Sequence, residues 1–150
     1  MSRRIALLVL AVAGAIAAPA SAQDTPFAVT EVADFDMPWA IAFLPDGRLL
    51  VTEQQRGALK LVTQEGRVIG EISGVPTVSY GGQGGLGDVV LHPDFANNGL
   101  VYLSFAEAGE GENRGAAVAR AKLALSGSGG ELQNLQVIWR QSPKVDGGGH

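Results

Sequence analysis

Two polar side chains, Gln83 and His150, end matching phrases in this 150-residue chain. Pro76-Thr77-Val78-Ser79-Tyr80-Gly81-Gly82-Gln83 and Pro143-Lys144-Val145-Asp146-Gly147-Gly148-Gly149-His150 share the layout Pro-x-Val-x-x-Gly-Gly before one residue that donates and accepts hydrogen bonds. A neutral imidazole, with a reference pKa near ~6.5, can take a proton from a bound hydroxyl. An amide can anchor the same molecule. If the chain is built of repeats, the two residues occupy one place in successive repeats and face a common centre, a base beside a substrate anchor. Each has a plainer reading. A lone histidine is usually structural or solvated, and Gln83 can simply satisfy backbone groups in a surface loop.

Positioning these residues requires strands. Phe27–Val32 alternates, Trp39–Leu44 and Leu49–Glu53 flank the turn Pro45-Asp46-Gly47-Arg48, and Ala58–Thr63 and Val68–Ile72 flank Gln64-Glu65-Gly66. The series then restarts. Pro93-Asp94 lies 48 residues after Pro45-Asp46, and Asp88–Leu91, Leu100–Phe105, Ala116–Leu123 and Leu135–Trp139 supply a second set. Ala96-Asn97-Asn98-Gly99 is an insertion in that set. Ala116–Ala124 also reads as helix, although Gly115 and Val118 oppose it. Four strands recurring at ~40–50 residues mark a β-propeller blade, so the fold class is all-β. A generic antiparallel sandwich is the alternative. Two blades do not close a ring, so residues 23–150 read as the N-terminal part of a propeller domain in a longer protein.

Residues 1–22 have the form of a signal peptide: Arg3 and Arg4, an apolar run from Ile5 to Ile16, and Ala20-Ser21-Ala22 before the cut. The run is too short for a membrane span. A periplasmic or secreted protein with no span after signal removal is expected. Loss of Arg3 and Arg4 leaves nine of the eleven basic residues against fifteen acidic ones, a net charge of −6. Such a surface repels phosphate backbones and argues against a nucleic-acid partner. Without cysteines, neither disulfides nor thiolate metal sites are available.

The remaining motifs have structural explanations. Gly82, Gly84 and Gly87 spell G-x-G-x-x-G, but they precede a strand and open no helix, so a dinucleotide site is rejected. Glycines suit a crossing between blades, where backbone comes close to a ligand. His92 reads as a strand-end residue before a turn. Asp34, Asp36, Glu107, Glu110 and Glu112 form no calcium loop and read as solvated, so no metal ligand is assigned. Trp39 and Trp139 read as packing between blades.

With these residues laid out, the chain resembles the soluble pyrroloquinoline-quinone (PQQ)-dependent sugar dehydrogenases, the glucose/sorbosone dehydrogenase family. The resemblance rests on Met37–Gly47 (MPWAIAFLPDG), Gly82–Phe95 (GQGGLGDVVLHPDF) and Gly149-His150. It implies a six-bladed propeller in the complete protein, of which this chain covers roughly the first two blades. The quinone would lie at the centre with calcium beneath it, the calcium ligands outside this segment. By resemblance, His150 is the general base that takes the anomeric proton, and Gln83 holds sugar and cofactor. The substrate is an aldose oxidised to its lactone; the electron acceptor is unspecified. Gly149 stands where some members carry an acidic or amide residue, which favours a broad aldose range. Two other classes stay open: a non-catalytic propeller binding a carbohydrate or protein partner, and a metal-dependent propeller lactonase.

Overall fold

A computed structural model describes residues 27–147. The predicted signal peptide and His150 lie outside the described residues. The chain divides into residues 1–30 and 31–150. Of the first unit only residues 27–30 are described. The expected strand Phe27–Val32 does not form, because residues 27–35 contain neither helix nor strand. Alternation makes a strand only where an open edge receives it. Glu31–Ala33 instead crosses the Gly66 turn, where an added Cβ would sit 2.0 Å from the Val32 carbonyl oxygen.

In the second unit, β1 (Pro38–Phe43), β2 (Leu49–Glu53), β3 (Ala58–Val62) and β4 (Val68–Ser73) pair in sequence order as an antiparallel meander. β5 (Leu86–Leu91), β6 (Leu100–Ala108), β7 (Asn113–Ser126) and β8 (Gly129–Arg140) do the same. The insertion before β6 is one helical turn, α1 (Phe95–Asn98), closed by Gly99 at φ 65°. A two-residue strand, β9 (Val145–Asp146), pairs with Asn113 and Arg114 of β7. These are two blades of a β-propeller. Their inner strands β1 and β5 lie against each other. Their outer strands β4 and β8 pair in parallel through Glu71–Ser73 and Gly129–Glu131.

The core fills the wedge between the blades. Leu50, Leu59, Leu61 and Ile72 face Leu86, Val89, Val101, Leu103 and Phe105, all buried. Each such leucine contributes about 1.5–3 kcal/mol on burial. β7 settles the helix-or-strand ambiguity: Gly115, Ala117, Ala119, Ala121 and Leu123 are buried at every second position. Period two is a strand's signature, and the small side chains let the second sheet approach closely.

The 48-residue repeat recurs in backbone detail. Both inner strands slip register at equivalent places, Pro38/Ile41 in β1 and Leu86/Val89 in β5. A bulge orphans an amide, and a neighbouring hydroxyl takes it in each blade. Ala40 N–H donates to Thr52 Oγ1 at 2.9 Å, and Asp88 N–H donates to Ser104 Oγ at 2.8 Å. The residues entering these strands, Met37 and Gly85, both have positive φ, 49° and 147°.

Candidate functional site

Gln83 sits on a tight turn immediately before β5. Gly84 N–H donates to the Gly81 carbonyl at 2.8 Å, and Gly82 takes φ 57° at the first central position. Few side chains tolerate that conformation, hence glycine. The turn is tied to both blades. Leu86 N–H donates to the Gln54 carbonyl at 2.9 Å, and Ala106 N–H donates to the Gly85 carbonyl at 2.8 Å. Farther back in the crossing, Ser79 N–H donates to the Ala106 carbonyl at 2.8 Å. Gly85 has no room for a side chain, since a Cβ would lie 2.4 Å from the Gln54 carbonyl oxygen.

So held, Gln83 is exposed and lines a cavity of about 300 Å³ with Trp39, Gly85, Gly87, Ser104, Phe105 and Ala116. An amide that donates and accepts, an indole face and a half-buried hydroxyl suit a small polyhydroxylated ligand. Trp39 is 52% exposed at this cavity rather than packed between the two blades; Trp139, at 54%, is also outside their shared core.

Two residues that the sequence reading missed hold the loop. Gln54, at the end of β2, donates from Nε2 to the Gln83 carbonyl at 2.5 Å. Arg114 lays its guanidinium on Gly81, where a Cβ would fall 1.5 Å from Nη1. Its Nε is buried with no hydrogen-bond partner among the described residues. No local signal marks either residue, because each acts on a segment about thirty positions away.

The structure brings Gln83 to the cavity, and it places the crossing that leads towards His150 at the start of β7, through β9. His150 lies outside the described residues. His92 is a turn residue, as read. Its Nδ1 accepts Asp94 N–H at 3.0 Å and faces the Asn98 amide at 2.9 Å, while the ring stacks on Tyr102. Gly82–Gly87 runs into strand β5, so it presents no helix N-terminus to a phosphate. Asp34, Asp36, Glu110 and Glu112 are exposed. Glu107 is engaged instead: hydrogen bonds from Lys144 and Arg140 hold its carboxyl below the usual carboxylate range. Among the described residues, no three acidic, histidine or cysteine side chains converge as metal ligands. No described helix is long and apolar enough to cross a membrane.

Two adjacent propeller blades with a cavity at the entrance of an inner strand are what this chain presents. Residues 35–150 match the Glucose / Sorbosone dehydrogenase family, and the chain belongs to it. It is 38% identical over 115 residues to the aldose sugar dehydrogenase YliI of Escherichia coli strain K12, covering 77% of this chain and 30% of that protein. A solved glucose dehydrogenase superposes with a TM-score of 0.69 at 45% identity, over 77% of this chain and 35% of the other. The PQQ-bound aldose sugar dehydrogenase of Streptomyces coelicolor gives 0.65 at 31% identity, over 77% and 34%. The chain spans about a third of the length of these relatives.

Proposed function

We propose that these blades belong to an exported quinoprotein that oxidises aldoses at the anomeric carbon to lactones. The observation that carries the reading is Gln83, rigidly presented to a hexose-scale cavity in a chain of the sugar dehydrogenase family. Residues 1–22 are its signal peptide and residues 23–150 the N-terminal part of its propeller, placing it in the periplasm or outside the cell. PQQ, when bound, supplies the acceptor for the anomeric hydride. The cavity rim suits it in part: Gln83 offers a donor and an acceptor, and Arg114, behind Gly81, brings a guanidinium close to the same loop. Calcium is implied by the family resemblance, but the described residues form no ligand cluster for it, and no step is assigned to it.

The protein's part is positioning and proton transfer. Gln83 orients the sugar by donating from its amide nitrogen and accepting at its oxygen. The imidazole of His150 takes the proton of the anomeric hydroxyl as its C–O bond becomes a carbonyl. One proton and one hydride leave, and the lactone remains. Such a base contributes about 10²–10⁴-fold.

The test loads the full-length protein with PQQ and calcium and follows dye reduction over a panel of aldoses. Broad aldose oxidation is expected. His150→Ala should lower kcat about 10²–10⁴-fold with the cofactor still bound. Dye left oxidised by every aldose refutes the enzymatic reading, and retained sugar binding would then identify a non-catalytic propeller.

A further inference from the structure

We infer that Gln54 is the positioning residue for Gln83, setting how firmly the Gly81–Gly85 turn holds an aldose; this rests on the functional reading above. Gln54 is only 4% exposed. Its N–H donates to the Met37 carbonyl at 2.9 Å, and its carbonyl accepts Leu86 N–H at 2.9 Å. Its side-chain Nε2 donates to the Gln83 carbonyl at 2.5 Å. One residue thus ties the entrance of β1, the end of β2 and the loop around Gln83.

The second blade is an internal control. Ala106 is the repeat equivalent of Gln54, fully buried at 0% exposure, and its N–H donates to the Gly85 carbonyl just as that of Gln54 donates to Met37. The fold therefore accepts alanine at this position and keeps the backbone bond. What Gln54 adds is its amide, a polar group whose burial is unfavourable unless bonded. That amide reaches the carbonyl of the residue that lines the cavity. Gln83 lies between Gly82 and Gly84, whose backbones are the least restrained of any residue. The bond to its carbonyl fixes the peptide plane and, through it, the direction of the side chain.

The experiment uses the full-length protein and two variants, Gln54→Ala and Gln54→Glu. The first removes the donor. The second keeps the shape, but a carboxylate cannot donate, whereas the protonated acid can. Hydrogen exchange of residues 81–86, read without cofactor or sugar, should speed up about tenfold in Gln54→Ala. In Gln54→Glu, protection should be lost near neutrality and return as pH is lowered from about 8 to 5, since burial raises a carboxyl pKa. With PQQ bound, both variants should raise the aldose KM about tenfold near neutrality while leaving kcat within about threefold. Unchanged loop exchange in Gln54→Ala overturns the inference, as does a Gln54→Glu loop whose protection ignores pH. A wild-type protein that oxidises no aldose refutes the enzymatic reading alone; exchange still decides whether Gln54 holds the loop.

Discussion

The two crossings share a sequence layout and differ in how they are fastened. The first, Val75–Gly85, is held by hydrogen bonds between neutral groups, Ser79 N–H on the Ala106 carbonyl, Ala106 N–H on Gly85 and the Gln54 amide on Gln83, with the Arg114 guanidinium packed on Gly81. The second, Gln141–Gly147, is fastened largely by charge. Lys144, standing where the first crossing has Thr77, reaches Glu107 at 2.7 Å and the Ala108 carbonyl at 2.6 Å. Arg140, just ahead of it, grips both oxygens of Glu107 at 3.1 and 2.9 Å. Neutral bonds come from Gln141, its N–H to the Ala116 carbonyl and its Oε1 from Ala116 N–H, and from β9 paired with Asn113 and Arg114. One Pro-x-Val-x-x-Gly-Gly pattern is therefore anchored in two ways by two different surroundings. A buried amide resists salt and acid; a half-buried carboxylate within reach of water resists them less.

The largest effect expected from breaking this contrast is at Gly85. Gly85→Ala meets both a φ of 147° and the Gln54 carbonyl, and should cost about 3 kcal/mol in equilibrium unfolding of the full-length protein. A loss below about 1 kcal/mol would show that the first crossing yields instead of resisting.

Next come the hydroxyls that complete the two bulges. Thr52→Val and Ser104→Ala should each cost about 1 kcal/mol, Thr52 the more because it is fully buried. Equal stability of the Thr52→Val variant and the wild type would mean water replaces the hydroxyl.

The smallest change sharpens the charge argument. Glu107→Gln should loosen the second crossing by about 0.5 kcal/mol, an effect that vanishes in 1 M salt. Glu107 has its folded pKa lowered by Lys144 and Arg140. Its contribution is therefore complete at neutrality and fades as pH falls below the ordinary carboxylate range, through the lowered folded pKa. Hydrogen exchange of residues 141–147 should rise on that acid limb in the wild type and stay level in Glu107→Gln. Residues 75–85 should show no such limb in either protein; one appearing there would erase the contrast.

Much of this architecture is legible in the amino acids. The strands β1 and β2 are marked by the turn between them, where Gly47 takes φ 86° and Asp46 folds back on Arg48. Local chemistry sufficed there. It misled at Phe27–Val32, where alternation is present but the chain crosses the Gly66 turn. Pairing partners also escaped notice. The β4–β8 contact and the β7–β9 bridge join residues whose sequences say nothing of one another. For the same reason Gln83 stood out, as a polar residue among glycines, while Gln54 and Arg114 did not. The twin bulges hid behind different residues, Thr52 and Ser104, which share only a hydroxyl.

The wedge between the blades is closed at both ends: β1 meets β5 at the hub, and β4 joins β8 along the rim by parallel ladder bonds. A hinge needs one free end, and this pair of sheets has none. Under the proposed sugar-binding function, access to the cavity is then set by side chains such as Trp39 and Gln83, and selectivity should respond to bulk at those two positions far more than to anything that bends the blades.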